Sequence, residues 1–136
     1  MGIFKTMKNA IKGSGVDKED WNIITAKEEA EEVINASEDQ PQLVYKHSHT
    51  CSICFLARQE IEQQFEDIKA KAGMNFLNVI KSRPVSNYIA EQTGVRHESP
   101  QALIIDKGEV VWHASHHSIK ADAILEALEN IKTQNS

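Results

Sequence analysis

QLVYKHSHTCSIC occupies residues 42–54, and the stretch FLARQEIEQQFEDIKAKAG that follows closes at Gly73. The opening letters QLVYK, residues 42–46, are β-branched and aromatic enough to read as a strand. A polar break follows, His47-Ser48-His49-Thr50. Cys54, Leu56, Ala57, Ile61, Phe65 and Ile68 then recur at helical spacing, which predicts one amphipathic helix ending at Gly73. The two cysteines therefore stand where a strand hands over to a helix. Unpaired N–H groups and the positive end of the dipole gather at a helix N-terminus and stabilise an anion. A thiolate held there has a lowered pKa. Cys54 lies one turn beyond Cys51, so its sulfur can reach Cys51 and resolve a mixed disulfide from within the chain. Cys54 alone would also suit a small buried apolar position; Cys51, between Thr50 and Ser52, would not.

Outward from this junction the chain alternates. Residues 21–25 (WNIIT) form a short β-prone run. Thr25 is placed to cap a helix over residues 26–36, with Glu28 completing a capping box and Ala26, Ala30, Val33 and Ile34 as its apolar stripe. On the far side, residues 75–81 (NFLNVIK) read as a strand. Pro84 opens a helix that Gly94 closes. Residues 101–105 (QALII) and 109–113 (EVVWH) are strands joined by Asp106-Lys107-Gly108, a hairpin turn with glycine where positive φ is needed. A last helix is expected from Ser118, with Ile119, Ala123, Leu125, Leu128 and Ile131 facing inward. A helix crossing between the strands at Gln42 and Asn75 implies a parallel pair, and the hairpin an antiparallel one. The expected fold is α/β, a mixed four- to five-stranded sheet with helices on both faces.

Composition supports one domain. The chain has 136 residues, 40% hydrophobic and 26% charged, within the globular range. Its formal charge of −5 argues against a generally basic nucleic-acid binder. There is no apolar run of about 18 residues to span a membrane. Two cysteines are too few for a disulfide scaffold. Residues 1–16 read as an N-terminal arm and linker, residues 17–133 as the domain and 134–136 as a polar tail. In the arm, Gly2 with Thr6 formally fits an N-myristoylation pattern, and Ile3, Phe4, Met7 and Ile11 lie at near-helical spacing, but the plainer reading is a loosely packed leader.

Two further features bear on chemistry. HxHxCxxC places four potential zinc ligands, His47, His49, Cys51 and Cys54, close together. Their alternation would put the first three on one side of an extended segment, and His113, His116 and His117 offer a second set. Clean zinc spacing is lacking, however, and His116-His117 reads more simply as a solvated loop. Ser99-Pro100 immediately precedes the QALII strand, where proline costs no ladder bond. Its plain reading is strand punctuation; its functional reading is a cis-proline at the rim of a site.

Taken with Gly94-Val95-Arg96-His97-Glu98-Ser99-Pro100-Gln101 and the Lys107-Gly108-Glu109-Val110-Val111 hairpin, the Leu43-to-Cys54 stretch resembles the thioredoxin superfamily. Within it, Trp21 with its following helix, Lys46-His47-Ser48, Thr50-Cys51 and the Val95-to-Gln101 run resemble the YtxJ-type bacilliredoxins. That resemblance implies a thioredoxin fold, with Cys51 as nucleophile and Pro100 as a cis-proline beside it. It also implies mixed disulfides between proteins and bacillithiol, a small cytosolic thiol, as substrates. Two departures stand out. Bacilliredoxins of this type usually carry a residue such as serine where this chain has Cys54. Thioredoxins carry an acidic residue six before the first cysteine, tryptophan just before it, and Gly-Pro inside the motif; here those places hold Tyr45, Thr50 and Ser52-Ile53.

The reading is thus a cytoplasmic thiol–disulfide oxidoreductase. Cys51 attacks and Cys54 resolves, while Ser99, Pro100, His49 and Thr50 contact the substrate. His49 is equally well read as a solvated loop histidine. No metal and no bound cofactor are expected; bacillithiol is a co-substrate. The expected partners are S-thiolated or disulfide-containing proteins and the small thiol, with no nucleic acid and no membrane, and the chain is expected to be a monomer. The alternatives are a general protein-disulfide reductase, a metal-binding module built on HxHxCxxC and a thioredoxin-like adaptor without chemistry.

Overall fold

A computed structural model describes residues 21–135; the expected arm and linker over residues 1–16 lie outside the described residues. The strands are β1 (Asn22–Ile24), β2 (Gln42–His47), β3 (Gly73–Asn78), β4 (Gln101–Asp106) and β5 (Glu109–Ser115). The helices are α1 (Lys27–Ala36), α2 (Ser52–Glu62), α3 (Phe65–Lys69), α4 (Arg83–Thr93) and α5 (Ala121–Asn135). The five strands form one sheet in the order β1-β3-β2-β4-β5. β1 and β2 run parallel to β3, and β4 runs antiparallel to both β2 and β5. This is the mixed sheet the sequence implied.

β2 is the middle strand, and all six of its residues are buried. Leu43 and Tyr45 enter one core with Ala57, Ile61, Phe65, Ile68, Ile124 and Leu128, from α2, α3 and α5. Val44 enters the other with Ala30, Val33, Val85 and Ile89, from α1 and α4. A strand buried on both faces reads as a continuous apolar run rather than an alternation, which is why QLVY stood out. Trp21 anchors the first core, 5.2 Å from the Phe65 ring and 5.6 Å from Phe76. Its indole N–H donates to Glu62 Oε2 at 2.9 Å.

Several boundaries differ from the sequence reading. The helix expected up to Gly73 is two helices: Gln64, at φ −125° and ψ 37°, breaks it before α3. Ile61, Phe65 and Ile68 all remain buried across the break, so the apolar period survives while the backbone does not. Gly73 opens β3, where a Cβ would collide with the Gln42 side chain. β3 ends at Asn78 instead of residue 81, because Asn78 Oδ1 accepts the amides of Ile80 and Lys81 and bends the chain. The Thr25–Glu28 capping box is not formed. Glu29 Oε1 instead accepts the Thr25 amide at 2.7 Å, and Ala26 stands at the N-cap. Residues His116–Ser118 form a 3-10 turn; α5 starts later, at Ala121, whose amide donates to Glu60 Oε1 at 3.3 Å. The polar residues 134 and 135, expected as part of a tail, continue α5. The β4–β5 turn has Lys107 at φ 53° and Gly108 at φ 80°, two consecutive left-handed residues as a tight hairpin requires.

Lys46 is the exception in the core. It follows Val44 toward α4 and is fully buried, and its ammonium donates to the Ser86 carbonyl at 3.4 Å. Burial, aided by Arg83, pushes its pKa down to about 8 from 10.5. The folded chain therefore binds fewer protons than the unfolded chain between these values, and stability rises with pH across that window. Below it the full desolvation penalty applies. Lys46→Met is expected to stabilise the protein by ~1–3 kcal/mol at pH 7. The gain should shrink as pH rises from about 8 to 10.5. Urea midpoints of both proteins at neutral and alkaline pH measure it, and equal midpoints at pH 7 would contradict this account.

Candidate active site

β2 ends at His47, and Ser48 begins a tight turn into α2. The Cys51 amide donates to the Ser48 carbonyl at 3.3 Å. Thr50 is held in the same turn, with its hydroxyl 3.0 Å from that of Ser48. Cys51 is the N-cap of α2, in extended conformation, and its carbonyl accepts the Phe55 amide at 3.3 Å. Cys51 is partly exposed and Cys54 is buried; both are free thiols.

These positions divide the two sulfurs chemically. The Cys51 side chain makes no full-geometry capping bond, yet it sits at the open end of α2. The Cys54 amide, then the Cys54 thiol and the Ile53 amide, hold the Cys51 pKa below the ordinary thiol value. Burial pushes Cys54 the other way, offset in part by the Ser99 hydroxyl and the Ser48 amide. The outer sulfur is thus biased toward the thiolate and the inner one toward the thiol.

Of the residues singled out in the sequence, Cys51, Cys54 and Ser99 meet. Ser99 Oγ is 3.5 Å from Cys54 Sγ, so Ser99 addresses the inner cysteine. The Ser99–Pro100 peptide is cis, and the Pro100 carbonyl accepts the His116 amide at 3.1 Å. His49 is exposed, its ring 5.0 Å from the His47 ring. HxHxCxxC does not gather: His47 is buried in the core beside Tyr45 and Phe76. Among the described residues no three His, Cys, Asp or Glu side chains are grouped to hold a metal ion.

Sequence reasoning passed over the groups beneath the cysteines. The Tyr45 hydroxyl donates to the Cys54 carbonyl at 2.7 Å and lies 3.0 Å from His47 Nδ1. The signal for Tyr45 was its place six residues before Cys51; His47 looked like part of a polar loop.

A cysteine pair at the head of a helix, on a five-stranded mixed sheet, is the arrangement of a thioredoxin-fold thiol–disulfide oxidoreductase, the class that its family and structural neighbours support. The chain matches the family described as "Monothiol bacilliredoxin BrxC" over residues 22–124, and it belongs to that family. Among solved structures, a candidate oxidoreductase with a thioredoxin fold is 33% identical, with a TM-score of 0.68, over 77% of this chain and 90% of that one. Chloroplastic thioredoxin z is 24% identical, TM-score 0.62, covering 82% of this chain and 93% of that one. Thioredoxin from Trypanosoma brucei brucei is 13% identical, TM-score 0.66, covering 83% and 91%. The last two share the fold. The family is described as monothiol, and this chain carries two thiols at the site, Cys51 and Cys54.

Alkylation of the native protein by iodoacetamide should modify Cys51 and spare Cys54. The midpoint of its rate against pH should fall below about 8.5, the ordinary thiol value. A midpoint at or above that value, or preferential labelling of Cys54, would contradict the division of roles.

Proposed function

We propose that this protein removes bacillithiol from proteins carrying it as a mixed disulfide, in the cytoplasm and as a monomer. The observation that carries the reading is the partly exposed, thiolate-favouring Cys51 set one turn from a buried thiol. Membership of the bacilliredoxin family supports the substrate class.

The Cys51 thiolate attacks the bacillithiol sulfur of the mixed disulfide. That bond breaks, the target protein leaves as a thiolate that takes up a proton, and bacillithiol is transferred to Cys51. Two routes then clear it. The Cys54 thiol gives up its proton and attacks Cys51 Sγ, forming the internal disulfide and releasing bacillithiol. Alternatively a second bacillithiol thiolate attacks the bound one, giving bacillithiol disulfide and free Cys51. The first route leaves an oxidised protein, which needs a two-electron thiol reductant before the next cycle. Ser99 and the Ser48 amide sit where they stabilise charge developing on Cys54. Around Pro100, an extended substrate segment would pair by its backbone as an added strand does, with His49 and Thr50 on the exposed rim next to Cys51.

Cys51→Ser is expected to abolish removal of bacillithiol from a modified protein. Cys54→Ser is expected to keep the first transfer, accumulate the Cys51–bacillithiol disulfide, and turn over once free bacillithiol is added. Mass spectrometry of the intact protein reads each state. A Cys54→Ser protein unable to accept bacillithiol would overturn the assignment. Equal rates on glutathionylated and bacillithiolated substrates would remove the bacillithiol preference. Reduction of insulin-type disulfides with neither thiolated protein accepted would favour a general disulfide reductase.

A further inference from the structure

We infer that Tyr45, oriented by His47, is a positioning residue for the Cys51 thiolate, acting through the peptide bond between Cys54 and Phe55. The inference rests on the proposed role of Cys51 and deepens it.

The geometry supplies a continuous chain. The Tyr45 hydroxyl is buried and donates to the Cys54 carbonyl at 2.7 Å. At the other end of that peptide, the Phe55 amide donates to the Cys51 carbonyl at 3.3 Å. One peptide unit is therefore held at its oxygen from the core and closes the first turn of α2 at its nitrogen. Hydrogen bonds at both ends polarise a peptide cooperatively. They also restrain the turn whose Cys54 and Ile53 amides act on the Cys51 sulfur.

His47 sets the direction of the hydroxyl. With its proton committed to the Cys54 carbonyl, the Tyr45 oxygen accepts from His47 Nδ1, 3.0 Å away. His47 then carries its proton on Nδ1 and stays neutral. Burial first, with His49 and Arg58, pushes its pKa down to about 4. The groups that face Tyr45 are Cys51, Cys54, Arg58 and Glu62, at the cap or along α2. Arg58 and Glu62 pair with each other at 3.0 Å. Burial keeps the Tyr45 phenol protonated, so it acts as a donor. Within the described core its ring packs 5.7 Å from Phe76 and 6.1 Å from Trp21, contacts that phenylalanine would keep.

The test compares the pH dependence of Cys51 alkylation in the native protein, Tyr45→Phe and His47→Phe, with thermal unfolding of each. Tyr45→Phe should move the midpoint upward and slow alkylation about three- to tenfold at a pH below both midpoints. His47→Phe should shift it the same way and by less, because the bond to the Cys54 carbonyl survives. A folded Tyr45→Phe protein with the native midpoint would overturn the inference, even if its unfolding temperature fell. Should Tyr45→Phe fail to fold, an unchanged midpoint in His47→Phe would overturn it instead. An ordinary midpoint in the native protein would refute the assignment of Cys51 itself, a separate outcome.

Discussion

Everything chemical in this molecule depends on how β2 leaves the sheet. A strand buried on both faces has no freedom in register, because a slip of one residue would exchange its two cores. Tyr45 is locked between Phe76 of β3 and Ala102 of β4, and the chain then has only the short Ser48–Cys51 turn before α2 begins. The sheet centre therefore fixes both the place and the angle at which the helix presents its N-terminus. Cys51 gains its character from that position rather than from a neighbouring base.

The two thiols differ because the helix end is a boundary between two environments. At the cap the sulfur meets donors and water; one turn inward, Cys54 is fully buried. Low dielectric raises the pKa of the inner thiol as surely as the amides lower that of the outer one. In the proposed mechanism, the second sulfur of this member of a family described as monothiol adds an internal route for releasing a bound thiol without altering the first attack. Ser99 Oγ lies 3.5 Å from that inner sulfur, which in the proposed mechanism brings the loop before β4 into the resolution step.

Most periodic positions read from residue types face the core, as Ala57, Ile61, Leu128 and Ile131 do, but Leu56 is exposed, and in α5 Ala121 and Ile124 are buried where Ala123 and Leu125 were expected. Helix α4 starts at Arg83 with Pro84 in its first turn and ends before the left-handed Gly94, and the β4–β5 hairpin turns at Lys107 and Gly108, as their local chemistry dictates. Ends set by distant partners were not legible. The start of α5 depends on Glu60, far earlier in the chain, and the end of the Thr25 segment on a carboxylate one residue from the expected one. The Gln64 break left no trace, since Ile61, Phe65 and Ile68 keep their spacing through it. Lys46 was hidden for a similar reason: a lysine at a strand end is ordinarily solvated, and only the packing of α4 over β2 encloses it.

The sequence by itself determined the alternation of strands and helices, the junction that puts Cys51 before a helix, and the kinship carried by the Cys51–Cys54 and Ser99-Pro100 motifs. Each is encoded within a few neighbouring residues, where propensity and spacing act directly. Tertiary structure alone decided which groups meet at the site. It brought Ser99 to Cys54 across 45 positions of chain, and it set Tyr45 and His47 beneath the first turn of α2. It also kept His47, His49, Cys51 and Cys54 from grouping as a set of three or more metal ligands. Those outcomes depend on sheet order and on which face each side chain enters, quantities that exist only once the strands have paired.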